Sequence, residues 1–83
     1  MKYSPDKELN ALGFICPLPV IETSKMIKNI EVGEILAIKA DDPVILLDMP
    51  AWCQSNGHEY LGEEELTEIK GYIVYVKKRS RKN

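Results

Sequence analysis

The 83-residue chain has no apolar run approaching the roughly 20 residues that a membrane span needs, so no segment is expected to cross or insert into a bilayer. The opening Met-Lys-Tyr-Ser-Pro-Asp-Lys has charge but no apolar stretch behind it; no secretory signal is expected, and the cytoplasm is the expected compartment. Cysteine is scarce. Cys16 and Cys53 lie 37 positions apart, neither a C-x-x-C redox pair nor a metal-ligand spacing, and both should be free thiols in a reducing compartment. There is no glycine-rich phosphate loop, no metal constellation, no catalytic carboxylate pair and no aromatic-basic stacking platform. No metal and no cofactor are expected.

The remaining composition, 45% hydrophobic and 29% charged, is that of a chain able to bury an interior. At this length it predicts a single domain over 1–83, with 1–7 and 78–83 as flexible ends. Deep cofactor cavities are not expected in so small a core; a surface site is. Net charge is −2, yet Lys77, Lys78, Arg79, Arg81 and Lys82 crowd the last seven positions. Residues 1–76 set six lysines against thirteen acids, a net −7, which disfavours non-specific nucleic-acid binding by the body. Charged terminal runs are more often solvated ends than binding sites, so phosphate contact by the tail is the weaker reading.

Glu8 to Leu12 alternates loosely and ends at Gly13, as a first strand with a tight exit would. From Cys16 the apolar spacing changes to three and four, through Val20, Thr23, Ile27 and Ile30, predicting an amphipathic helix. Glu34 to Ala40 reads as a strand buried on both faces, which favours a parallel β-α-β crossover. Asp42-Pro43 starts a second helix; Pro50 predicts a kink, or a restart near Asp48 with that residue as cap, and Gly57 stops the helix. His58 to Leu61 and Tyr72 to Val76 are expected as an antiparallel hairpin, with Glu63 to Glu65 in a solvated turn. The order βαβαββ predicts an α/β (α+β) two-layer sandwich, a four-stranded mixed sheet with two helices on one face. Apolar residues on the other, open face would mark a partner or dimer surface.

Cys16 concentrates the chemistry. In Gly13-Phe14-Ile15-Cys16-Pro17-Leu18-Pro19 it stands between a strand exit and a helix start, where unpaired N–H groups and the helix dipole favour a thiolate. Pro17 and Pro19 delete donors that would lack partners there and stiffen the turn, although Pro19 pushes the helix start one or two residues past Cys16. Most free cysteines are small buried hydrophobes, but a proline-flanked terminus is usually exposed, and an exposed thiol is a liability unless it is used. Cys53, beside Trp52 and one turn after Met49, fits that buried description instead. His58, the only histidine, is expected to be structural or solvent-facing, since a Cys-His dyad would need an orienting partner that the sequence does not supply.

Leu9 to Pro19, with its Cys-Pro-x-Pro core, resembles the signature of the TusA/SirA-like sulfur-carrier family. Gly33-Glu34, Ala40-Asp41-Asp42-Pro43, Asp48-Met49-Pro50-Ala51-Trp52-Cys53 and Gly57-His58-Glu59 are similar to later stretches of that family, so the resemblance runs from about Leu9 to Lys77. It implies the βαβαββ sandwich, seen also in the C-terminal domain of bacterial translation initiation factor three. It implies a sulfurtransferase whose catalytic residue is Cys16, with Gly13, Pro17 and Pro19 as scaffold. Cys16 would carry a persulfide from a sulfur-donor protein, a cysteine desulfurase or rhodanese type, to a sulfur-acceptor protein, as in tRNA 2-thiouridine synthesis or sulfur and thiosulfate metabolism. Asn10 stands where the family often has Asp, and the basic tail lies outside the signature. Two other readings compete: a non-catalytic RNA-binding or regulatory module using the open sheet face and Lys77 to Lys82, and a redox sensor closing a Cys16–Cys53 disulfide.

Overall fold

The computed structural model describes residues 3–15 and 17–79. Its elements are β1 (Lys7–Ala11), α1 (Leu18–Met26) continued by a 3₁₀ turn (Ile27–Asn29), β2 (Ile35–Ala40), α2 (Ile45–Asn56), β3 (Glu59–Glu65) and β4 (Tyr72–Lys77). They form one four-stranded sheet in the order β1-β2-β4-β3. β1 and β2 run parallel, from Lys7 beside Leu36 to Ala11 beside Ala40, as a β-α-β crossover requires. β4 is antiparallel to both β2 and β3. This is the mixed two-layer fold that the alternation of period-two and period-3.6 segments predicts. No helix among the described residues is long and apolar enough to cross a membrane.

The core lies between the helices and one sheet face. Leu9, Ala11, Leu36, Ile38, Val74 and Val76 meet Ile27, Ile30, Ile45, Met49 and Cys53 there. The inward positions of α2, Ile45, Met49 and Cys53, are four apart, so each sits one turn above the last. That stripe explains why α2 continues from Ile45 past Pro50 to Asn56 without the restart near Asp48 that the sequence allows: one lost backbone bond is outweighed by three buried contacts. Asp48 consequently lies in the first turn rather than capping it. Asp42 does bind the backbone ahead of the helix, its Oδ1 accepting the Val44 N–H at 3.1 Å. Gly57 ends α2 at φ +75°, a left-handed conformation that only glycine adopts without strain.

Two expectations are corrected at β3 and on the opposite sheet face. Glu63 to Glu65 are not a turn but the end of β3, paired with Val74, Ile73 and Tyr72. Three identical residues hide any alternation, and glutamates suit an edge strand by discouraging a further strand from pairing. The second sheet face is not open either. Tyr3 and Leu66 pack over Ala37, Ile73 and Tyr75, with the Tyr3 and Tyr75 rings 5.0 Å apart, and Tyr75 is fully buried.

The ends expected to be loose also carry contacts. The Asp6 N–H donates to Ile35 O at 2.8 Å, and the Asp6 carboxylate accepts the Ile35 N–H in return. Lys78 is buried, its Nζ donating to Ile30 O at 2.7 Å. Arg81 and Lys82 of the basic tail lie outside the described residues.

Candidate functional site

Parallel β1 and β2 both run toward one end of the sheet, and α1 and α2 both start there and run back. The loop leaving β1 and the loop leaving β2 therefore stand side by side. Asn10 Oδ1 accepts the Leu12 N–H at 3.1 Å, and Phe14 N donates to Ala11 O at 3.1 Å, turning the chain sharply out of the strand. Gly13 sits in this turn at φ +83°; a Cβ there would meet nothing within 4 Å, so the glycine is required by backbone conformation and not by space. Its N–H donates to Asp41 Oδ2 at 3.0 Å. Asp41, the first residue after β2, thus holds the loop that follows β1.

Cys16 lies outside the described residues; the structure describes its neighbours. Ile15 is 71% exposed and Pro17 is exposed. Leu18 N donates to Ile15 O at 2.9 Å and Ile21 N to Pro17 O at 3.1 Å, which ties Ile15 and Pro17 to the first turn of α1. Pro17 occupies the N-cap position, and α1 begins at Leu18. Pro19 is buried at the foot of the helix, and its carbonyl accepts the Thr23 hydroxyl at 2.8 Å. A shallow groove between the two helix starts is lined by Pro17, Pro19, Val20, Asp42, Ile45 and Asp48.

The other sequence candidates lie elsewhere. Cys53 is buried under α2, and burial pushes its thiol up to about 12, where it is protonated and inert. His58 stands at the far end of the sheet, where β3 starts beside the end of β4, the length of a strand from the β1 exit. It is buried and structural: its ring stacks on Trp52, and Nδ1 accepts the Arg79 N–H at 3.2 Å. Burial and, secondarily, the Lys78 charge lower its pKa. A dyad between His58 and the motif is not what this topology brings together. Asp41, which the sequence shows only as part of Ala40-Asp41-Asp42-Pro43, is brought to this site by the fold. Its signal was the crossover itself, which sets the residue after β2 beside the loop after β1.

The family model for sulfurtransferase TusA matches residues 7–78. The chain belongs to the TusA sulfurtransferase family. Among relatives of this family, it is 46% identical over 66 residues to the "Putative sulfur carrier protein YrkF" of Bacillus subtilis (strain 168), a match covering 80% of this chain and 36% of YrkF. The chain thus spans little more than a third of that relative's length. Its fold is shared with the crystal structure of the SirA-like protein from Desulfitobacterium hafniense, at a TM-score of 0.71 and 21% identity, over 89% of this chain and 99% of that one. The TusA-family match begins at the first residue of β1 and ends one residue past β4, so it takes in the whole sheet and both helices.

Proposed function

We propose that this TusA-family protein is a sulfurtransferase of the carrier type, holding persulfide sulfur on Cys16. It takes that sulfur from a donor protein, a cysteine desulfurase or rhodanese type, and hands it to an acceptor protein. The observation that supports this reading is made on the neighbours of Cys16: Ile15 and Pro17 are exposed, and α1 begins at Leu18, beside the start of α2. Free N–H groups at helix starts favour an anion, which lowers a thiol's pKa from about 8.5 and raises its thiolate fraction at neutral pH. Gly13, Pro17 and Pro19 act as scaffold, the first by its left-handed turn and the prolines by restricting φ on either side of Leu18.

The transfer balances without an outside oxidant or reductant. The Cys16 thiolate attacks the outer sulfur of the donor's Cys–S–SH. The donor's S–S bond breaks as the new S–S bond forms on Cys16, and the donor cysteine leaves as a thiolate while the sulfhydryl proton travels with the transferred sulfur. Delivery repeats the exchange, with the acceptor's thiolate as attacker and Cys16 as leaving group. Such a relay needs one thiol that serves both directions, a good nucleophile and then a good leaving group.

The competing readings find less support. A Cys16–Cys53 redox switch needs a reactive second thiol, and Cys53 is buried and protonated. An RNA-binding module would use the second sheet face, which Tyr3 and Leu66 cover, and Lys77 to Lys82, of which Lys78 is buried against Ile30 O and Arg79 pairs with Glu59. Incubating the chain with a cysteine desulfurase and cysteine should add about 32 Da, one sulfur atom. A Cys16→Ser variant should gain nothing, and uptake by that variant would defeat the assignment.

A further inference from the structure

The outer face of a helix packed on a sheet is normally polar. Here it is polar only in part. Seven large apolar side chains are exposed among the described residues. Five of them, Ile15, Leu18, Ile21, Val44 and Leu47, stand in or beside the first turns of α1 and α2; Ile69 lies in the β3–β4 connection beside Lys39 and Leu66, and Val32 follows the end of α1. Along α1 the outward positions pass from Leu18 and Ile21 to Lys25, and along α2 from Leu47 to Gln54 and Ser55. Both helices therefore carry their large exposed apolar side chains in the first turn and polar ones in the last. Leu47 is 76% exposed and, being grouped with Val44 and the apolar start of α1, it marks a patch whose burial by a partner would be favourable.

The charge at the two helix starts has one sign. No lysine or arginine occurs between Lys7 and Lys25 or between Lys39 and Lys70, the segments that supply the motif loop and both helix starts. The charged residues at the helix starts are Asp41, Asp42 and Asp48, of which Asp42 and Asp48 line the groove beside Pro17 and Pro19. Two cysteines can exchange sulfur only in contact, so a protein donor must cover the motif. An interface of standard size covers about 800 Å² of each partner, which extends well beyond one loop. Two packed helices with axes about 8–10 Å apart fall within it.

We propose that this apolar, acid-rimmed end of the helix layer is the docking surface for the sulfur-donor protein, which meets it with an apolar patch ringed by lysine and arginine. The proposal rests on the reading of Cys16 as the sulfur carrier. Apolar contact supplies the affinity and the opposed charges supply speed and orientation of encounter.

The test separates docking from chemistry by loading the full chain from two sources: a cysteine desulfurase with cysteine, and inorganic polysulfide, which needs no protein contact. Leu47→Lys and Leu47→Glu change an exposed side chain outside the reacting centre. From polysulfide, both variants and the unaltered chain should load at rates within about twofold of one another. From the desulfurase, Leu47→Lys should be slower by roughly tenfold and Leu47→Glu by less, and the unaltered chain should slow as salt rises from roughly 50 to 500 mM. Equal rates from the desulfurase for all three chains would overturn the proposal, as would Leu47→Glu being the slower variant. Loading of the unaltered chain by polysulfide but not by the desulfurase would also overturn it while leaving Cys16 as the sulfur acceptor. Loading by neither would refute the carrier reading itself, and the docking surface with it.

Discussion

The surroundings of the two cysteine positions differ, and surroundings decide what a thiol can do. Cys53 is enclosed by α2 and the sheet, and the cost of placing a charge there keeps it a thiol. Cys16 falls between an exposed isoleucine and an exposed proline at a helix start. His58 shows the same principle for a base. Nδ1 accepts a backbone N–H, Nε2 is buried with no hydrogen-bond partner among the described residues, and Lys78 faces the ring while Glu59 is engaged by Arg79. Protonation would break the Arg79 bond and bring a second positive charge beside Lys78. Because the folded pKa is depressed, the neutral ring's contribution is fully present above the unfolded value of about 6.5 and is lost as pH falls below it. Urea unfolding at pH 7.5 and at pH 5.5 should therefore show lower stability at the acid pH, and His58→Gln should flatten that difference. An unchanged pH dependence in the variant would show that other groups set it.

The two parallel helices do their work through their starting points. β1 and β2 deliver the chain twice to one edge of the molecule, and the Asp41 carboxylate on the second loop ties down the Gly13 N–H on the first. Asp41→Ala should slow sulfur uptake by Cys16 from polysulfide severalfold while costing only about 1 kcal/mol of stability, the worth of one exposed hydrogen bond at most. A denaturant melt beside the uptake assay separates the two effects. Most element boundaries could be read from the sequence because their patterns are unambiguous: Leu36, Ile38 and Ala40 alternate, and Ile45, Met49 and Cys53 recur every fourth residue. Pro50 and Glu63 to Glu65 were misleading for a shared reason. Local preference argued for a break or a turn, and long-range packing, the core under α2 and the pairing with β4, overrode it. Asp41 could not be assigned to the site from one segment, since its partner is 28 residues earlier in the chain and adjacent only once the crossover forms.

At the scale of the whole molecule, the sheet has one face for the core and one that the chain covers for itself. Tyr3 lies on Tyr75, and Leu66 reaches over from the β3–β4 connection. Tyr3→Ala should lower stability by about 1–2 kcal/mol and expose the apolar strip of Ile73 and Tyr75, read as a lower melting temperature and earlier aggregation on heating. Five of the seven exposed large apolar side chains among the described residues stand instead at the helix starts, in the segments flanking Cys16 and in the first turn of α2. The most direct measurement is peptide mapping by mass spectrometry after the full chain has been loaded by a cysteine desulfurase with cysteine, using an alkylating tag that keeps the outer sulfur in place. The account predicts the added sulfur on the peptide that contains Cys16 and none on the peptide that contains Cys53; sulfur on Cys53, or on neither peptide, would contradict it.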